Sequence, residues 1–174
     1  QRSRKGRCIH YLSAVDNRQN SLNRFRRSFL LSDSTLRKGF VIMVKPKVLV
    51  IDDEPDFLET VVKRLRKRQI EAAGVGGGKE AVRLLSEQSF DVVILDLRMP
   101  GMDGLETLKE IKKKSPLTEV IMLTGHGSVE SGIQGMQLGA FDYVIKPADF
   151  EELLEKVNQA AERKMLHEER LRKA

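Results

Sequence analysis

The carboxylates Asp52, Asp53 and Asp96, the Thr124 hydroxyl and the Lys146 amine share one kind of position in the sequence. Each closes or directly follows a run of strand-forming residues: KVLVI before Asp52, DVVIL before Asp96, EVIML before Thr124, DYVI before Lys146. Three carboxylates with no His or Cys among them suit a hard divalent cation, and Mg²⁺ takes a few carboxylate oxygens together with waters and phosphate oxygens. A carboxylate beside Mg²⁺ and a lysine is a competent nucleophile towards phosphorus, and its product is an aspartyl phosphate. The metal, the ammonium and the hydroxyl would then hold the charged oxygens of the transferring phosphoryl group. Taken alone, Asp52 and Asp53 read better as a solvated loop at a helix N-terminus, where acids suit the dipole. The recurrence of such residues at strand ends, in chain order, argues for a site.

The elements that would position them alternate from Lys47 onward. Strands are predicted at 47–51, 70–75 (the weakest), 91–96, 119–124 and 142–146. The first helical stretch carries Phe57, Leu58, Val61, Val62 and Leu65 on one stripe, with Lys63, Arg64, Arg66 and Lys67 facing water. Further helices are predicted over about 79–88, 104–114 and 128–138, with a fifth from Asp149. Five βα repeats imply a doubly wound α/β fold: a five-stranded parallel sheet with helices on both faces. Right-handed crossovers and the domain's size favour the flavodoxin-like order 2-1-3-4-5, with the ligand at the carboxyl ends of the strands.

Composition narrows the classes. No apolar run approaches the roughly 20 residues that span a bilayer. Cys8 is the only cysteine, so an intrachain disulfide is excluded and a reducing, cytoplasmic location is expected. The formal charge of +6 is unevenly spread. Residues 1–42 hold ten Lys and Arg against Asp16 and Asp33, a net of +8, whereas the remainder holds 21 bases against 23 acids, a net of −2. The domain itself therefore has no electrostatic reason to bind nucleic acid.

The stretches VLVIDDEPD, DVVILDLRMPGMDGLE, VIMLTGHG and GAFDYVIKP closely resemble the receiver domain of bacterial two-component response regulators. The resemblance covers about 45–163 and implies a role for each matching position. Asp96 would accept a phosphoryl group from a histidine kinase or phosphotransfer protein. Asp53 would ligate Mg²⁺ directly and Asp52 mainly through water, with the Arg98 backbone carbonyl and Asp96 as further ligands. Thr124 would meet the phosphoryl group on activation, Lys146 would pair with it, and Tyr143 holds the place of the aromatic that swings inward with the threonine. The Lys146–Pro147 bond is expected to be cis. The loop GVGGG (74–78) is expected to be unusually flexible, and Gly125, where many relatives carry alanine, should leave the site unharmed. Arg98 and His126 would border the path of hydrolytic water and prolong the phosphorylated state. TGHG resembles the branch of the family whose receivers often control enhancer-binding transcription activators.

The ends are read separately. Residues 164–174 are expected to form a helical extension, either solvated or a linker to a homodimer partner or output module. Residues 1–42 resemble a transit peptide or nucleic-acid-binding arm in composition. However, Met43 with VKPKVLVIDDE resembles a natural start for the receiver domain at 43–163, and RKG at 37–39 reads as an in-frame ribosome-binding site. The tail is therefore expected to be disordered, without folded function, and to come from an upstream start or from the expression design. The rival reading is a Mg²⁺-dependent phosphohydrolase of the haloacid-dehalogenase type, which shares the Asp nucleophile, Mg²⁺, Thr and Lys. That chemistry needs an acid two residues after the nucleophile, and Arg98 stands there.

Overall fold

Strand β1 (Lys47–Ile51) leads into α1 (Pro55–Lys67), and four further pairs follow in a computed structural model that describes residues 45–125 and 129–174. These are β2 (Glu71–Val75) and α2 (Gly78–Glu87), β3 (Val92–Asp96) and α3 (Gly104–Lys114), β4 (Glu119–Thr124) and α4 (Val129–Gln137), and β5 (Asp142–Ile145) and α5 (Phe150–Lys173). All neighbouring strands pair in parallel, in the order β2-β1-β3-β4-β5. The expected fold is the observed one. His126 and the tail 1–42 lie outside the described residues.

Alternating strand residues feed two cores, because a strand sends successive side chains to opposite faces. Val48, Val50, Ile94, Ile121 and Leu123 pack with Val61, Leu65, Leu153 and Val157 of α1 and α5. Leu49, Ile51, Val93, Leu95 and Met122 pack with Ala81, Leu85, Leu108 and Ile111 of α2 and α3. Helix starts follow local chemistry. Pro55 opens α1, where its missing N–H costs nothing. Asp103 caps α3 by accepting from the Glu106 N–H at 2.8 Å, and Asp149 caps α5 by accepting from Glu151 and Glu152.

Two expectations gain detail. Arg64 and Arg66 are solvent-exposed but engaged: Arg64 stacks over the Phe150 ring at 4.4 Å, and Arg66 donates through Nε and Nη2 to the Ala72 carbonyl. The GVGGG stretch divides by role. A Cβ on Gly74 would sit 2.9 Å from Leu58, and one on Gly78 would collide with the Thr107 hydroxyl, whereas Gly76 and Gly77 face open space. Close helix packing, not flexibility, explains glycine at 74 and 78.

Helix α5 runs through position 163 without interruption. At the amino-terminal edge of the sheet, buried Lys164 donates to the Phe90 carbonyl (3.1 Å) and pairs with Asp91 (2.7 Å). The extension proposed from 164 thus begins inside a docked helix.

Candidate functional site

Strand register brings the carboxyl ends together. Ile51 pairs with Leu95, so Asp52 and Asp96 leave the sheet side by side. Asp96 pairs with Leu123, which places it one residue from Thr124, and the Lys146 N–H donates to the Thr124 carbonyl at 2.7 Å. Asp52 is fully buried, Asp96 is 6% exposed and Thr124 is fully buried, whereas Asp53 is exposed beside them.

Lys146 joins the two buried acids. Its Nζ lies 2.7 Å from Asp52 Oδ2 and 3.0 Å from Asp96 Oδ1, with Glu54 Oε1 at 3.5 Å. The remaining Asp52 oxygen accepts from the Glu54 N–H, and Asp96 Oδ2 accepts from the Arg98 N–H. Burial pushes the Asp96 carboxyl above its ordinary range, reinforced by the Asp52 charge and opposed by Lys146 and the Arg98 N–H. For Lys146, burial pulls the ammonium down, but hydrogen bonds and charges from Asp52 and Asp96 outweigh it and hold the group above its ordinary value. Among the described residues a single ammonium thus serves two buried carboxylates, which leaves a negative surplus there.

The expected cis Lys146–Pro147 bond is present. Tyr143 is half-buried, and a Cβ on Gly132 of α4 would touch its ring at 3.4 Å. The Thr124 hydroxyl donates to the Gly125 carbonyl at 3.0 Å. Arg98 is exposed and reaches across to β4, where a Cβ on Gly125 would stand 2.6 Å from its Nη2. Glycine at 125 therefore makes room for the guanidinium beside the site.

Among the described residues no group of three or more His, Cys, Asp or Glu is gathered tightly enough to hold a metal by itself. Mg²⁺ keeps several waters and is bound through one or two carboxylates plus substrate phosphate. The donor set present, all oxygen and with surplus negative charge, fits such an ion.

A family model described as the response regulator receiver domain matches residues 48–158. The chain belongs to this family. It is 36% identical over 118 residues to the response regulator protein PilR of Pseudomonas aeruginosa, covering 68% of this chain and 26% of that protein. It is 40% identical over 106 residues to the transcriptional regulatory protein ZraR of Escherichia coli K12, covering 61% and 24%. The chain therefore spans about a quarter of the length of these curated relatives. Among solved structures, a receiver domain from Clostridium thermocellum aligns with a TM-score of 0.67 at 40% identity, covering 69% of this chain and 97% of that one. A Francisella receiver domain aligns with a TM-score of 0.64 at 35% identity, covering 68% and 98%. The protein is a receiver domain of the two-component response regulators, and the phosphohydrolase alternative finds no support: Arg98, not an acid, follows Asp96 by two residues.

The structure also identifies a residue that sequence reasoning passed over. Gly104, first residue of α3, is buried, and a Cβ there would stand 2.5 Å from the Asp96 carbonyl oxygen and 2.7 Å from Leu97 Cα. Only glycine lets α3 start against the Asp96 backbone. The available signal was a glycine directly after the N-cap Asp103, where local helix chemistry does not ask for one.

Proposed function

We propose that Asp96 is the phospho-acceptor and that Lys146 and Thr124 serve the transferred group. The observation that carries this is the Lys146 ammonium bridging Asp52 and Asp96 at 2.7 and 3.0 Å. An Asp96 oxygen attacks the phosphorus of a kinase or phosphotransfer phosphohistidine. The phosphorus–nitrogen bond breaks, and its electron pair returns to the imidazole nitrogen. Lys146 holds a phosphoryl oxygen through a charge-assisted hydrogen bond. Thr124 turns its hydroxyl towards the group, and Tyr143 follows against α4.

Asp53 would hold Mg²⁺ directly, Asp52 through water, with Asp96 and the Arg98 backbone carbonyl completing the protein's share. The ion would supply positive charge that offsets the negative charge of the transferring group. Arg98 and His126 lengthen the life of the acyl phosphate. The position of the Arg98 guanidinium against Gly125 supports its half of this reading.

The domain works as a switch without a turnover substrate of its own, in the cytoplasm, and passes the signal through the α5 extension to a homodimer partner or an output module. A transcriptional output agrees with the description of ZraR. No helix among the described residues is long and apolar enough to cross a membrane.

Acetyl phosphate with Mg²⁺ is expected to add one phosphoryl group, read by intact mass. Labelling that persists in Asp96→Asn would sink the assignment. Asp53→Asn is expected to abolish the Mg²⁺ dependence. The combined Arg98→Asn and His126→Glu variant should lose phosphate faster than the parent, and equal decay would dismiss the lifetime role.

A further inference from the structure

Lys146 has a neighbour of a different kind. The Phe57 ring, in the first turn of α1, presents its face to the Lys146 Nζ, which lies 4.5 Å from the ring centroid. On the other sides of the ammonium stand Asp52, Asp96 and Glu54. The ring is half-buried and packs against the core beneath α1 and α5. A cation within about 6 Å of an aromatic face is attracted by the ring quadrupole, and more strongly where water is excluded.

We propose that Phe57 is a positioning residue for phosphoryl transfer, holding the Lys146 ammonium over Asp96. This rests on the reading of Asp96 as phospho-acceptor. The physical case turns on what else could stand at position 57. The free N–H groups in the first turn of a helix carry partial positive charge, which repels an ammonium brought against them. An acid at 57 would offset that repulsion, but it would add another anion to a pocket where two buried carboxylates already share one cation. An aliphatic side chain would fill the space and leave the repulsion unanswered. An aromatic face attracts the ammonium and adds no net charge. It also exerts a broad pull that asks no N–H of Lys146 to point in one direction. The ammonium can therefore turn from the Asp96 oxygen to an oxygen of the attached phosphoryl group without leaving the ring.

The test separates electrostatics from packing. Phe57 is replaced in the full chain by mono-, di- and trifluorinated phenylalanine, which keep the shape while draining the negative face of the ring. The rate of phosphorylation by acetyl phosphate is expected to fall stepwise, reaching about five-fold, the change that corresponds to about 1 kcal/mol. In the unphosphorylated, metal-free protein, the Lys146 side-chain protons should show an upfield ring-current shift that disappears in Phe57→Leu. A rate that stays flat across the fluorinated series would overturn the proposal. So would Lys146 proton shifts indifferent to Phe57→Leu. A parent chain that takes no phosphoryl group at all would instead refute the phospho-acceptor reading, a separate result.

Discussion

The two edges of the sheet use the same residue types in opposite proportions. At the carboxyl edge, Lys146 is the cation that pairs with buried Asp52 and Asp96 among the described residues. At the amino edge, Glu119, with a side chain 3% exposed, is met by both Arg163 (3.1 Å) and Lys112 (3.5 Å), and Lys164 is matched by Asp91 and the Phe90 carbonyl. The first edge keeps a surplus of negative charge and an Asp96 carboxyl pushed upward by burial, which suits the cation-assisted phosphoryl transfer proposed for it. The second balances its acids with bases from α3 and α5, and its role is to dock the long helix. Charge stoichiometry distinguishes a reactive edge from a structural one, although both bury ion pairs.

Removing Asp96, the proposed nucleophile, is the harshest way to separate the edges. Asp96→Asn should abolish phosphorylation completely while leaving the amino edge, and hence α5 docking, intact by circular dichroism and amide exchange. A partial loss would show that a second acceptor exists. At the other edge, Glu119→Ala leaves Lys112 and Arg163 without their shared carboxylate. It should destabilise the domain by about 3 kcal/mol in urea titrations, with phosphorylation of the folded fraction unchanged. If phosphorylation fell in step, the edges would be coupled and the contrast would fail.

Gly104→Ala is the intermediate case. The new Cβ meets backbone at the Asp96 carbonyl, which has no flexible end to yield. Overpacking of this kind costs about 1–3 kcal/mol, and the shift of Asp96 should slow phosphorylation as well. Stability lost with an unchanged rate would show that the strain relaxes through α3 alone.

The smallest effect concerns Lys112. Burial holds its ammonium below the ordinary lysine value, against the pull of Glu119. The folded state therefore releases this proton at a lower pH than the unfolded chain does. The group's contribution to stability is present above the ordinary lysine value and is lost as the pH falls through the lowered one. Lys112→Met should flatten the alkaline limb of stability against pH, read from urea titrations across the lysine range. An unchanged limb would remove Lys112 from the account of the amino edge.

Much of this was legible from residues 45–163 alone. Short continuous apolar, β-branched runs predict the five strands, and helical stripes such as Val61, Val62 and Leu65 predict the helices. The order of the sheet follows from crossover handedness and size. The acids, Thr124 and Lys146 could be assigned to one edge because the carboxyl ends of parallel strands all lie on the same side. Sequence could not reveal which side chains touch. Arg66 reads as a solvated arginine, yet it binds the Ala72 carbonyl; Gly78 reads as loop, yet it is a helix contact.

The sequence by itself determined the fold, the family and the roster of chemical groups, because periodicity and strand-end position are properties of the chain read locally. Tertiary structure alone decided that one ammonium is shared between Asp52 and Asp96, that Phe57 stands over it, that Gly104 admits the Asp96 backbone, and that α5 is docked as far as Lys164. Each of these joins residues from 8 to 94 positions apart, or turns on tenths of an ångström between atoms. Such contacts depend on how rotamers and helices settle against one another, which no local pattern encodes.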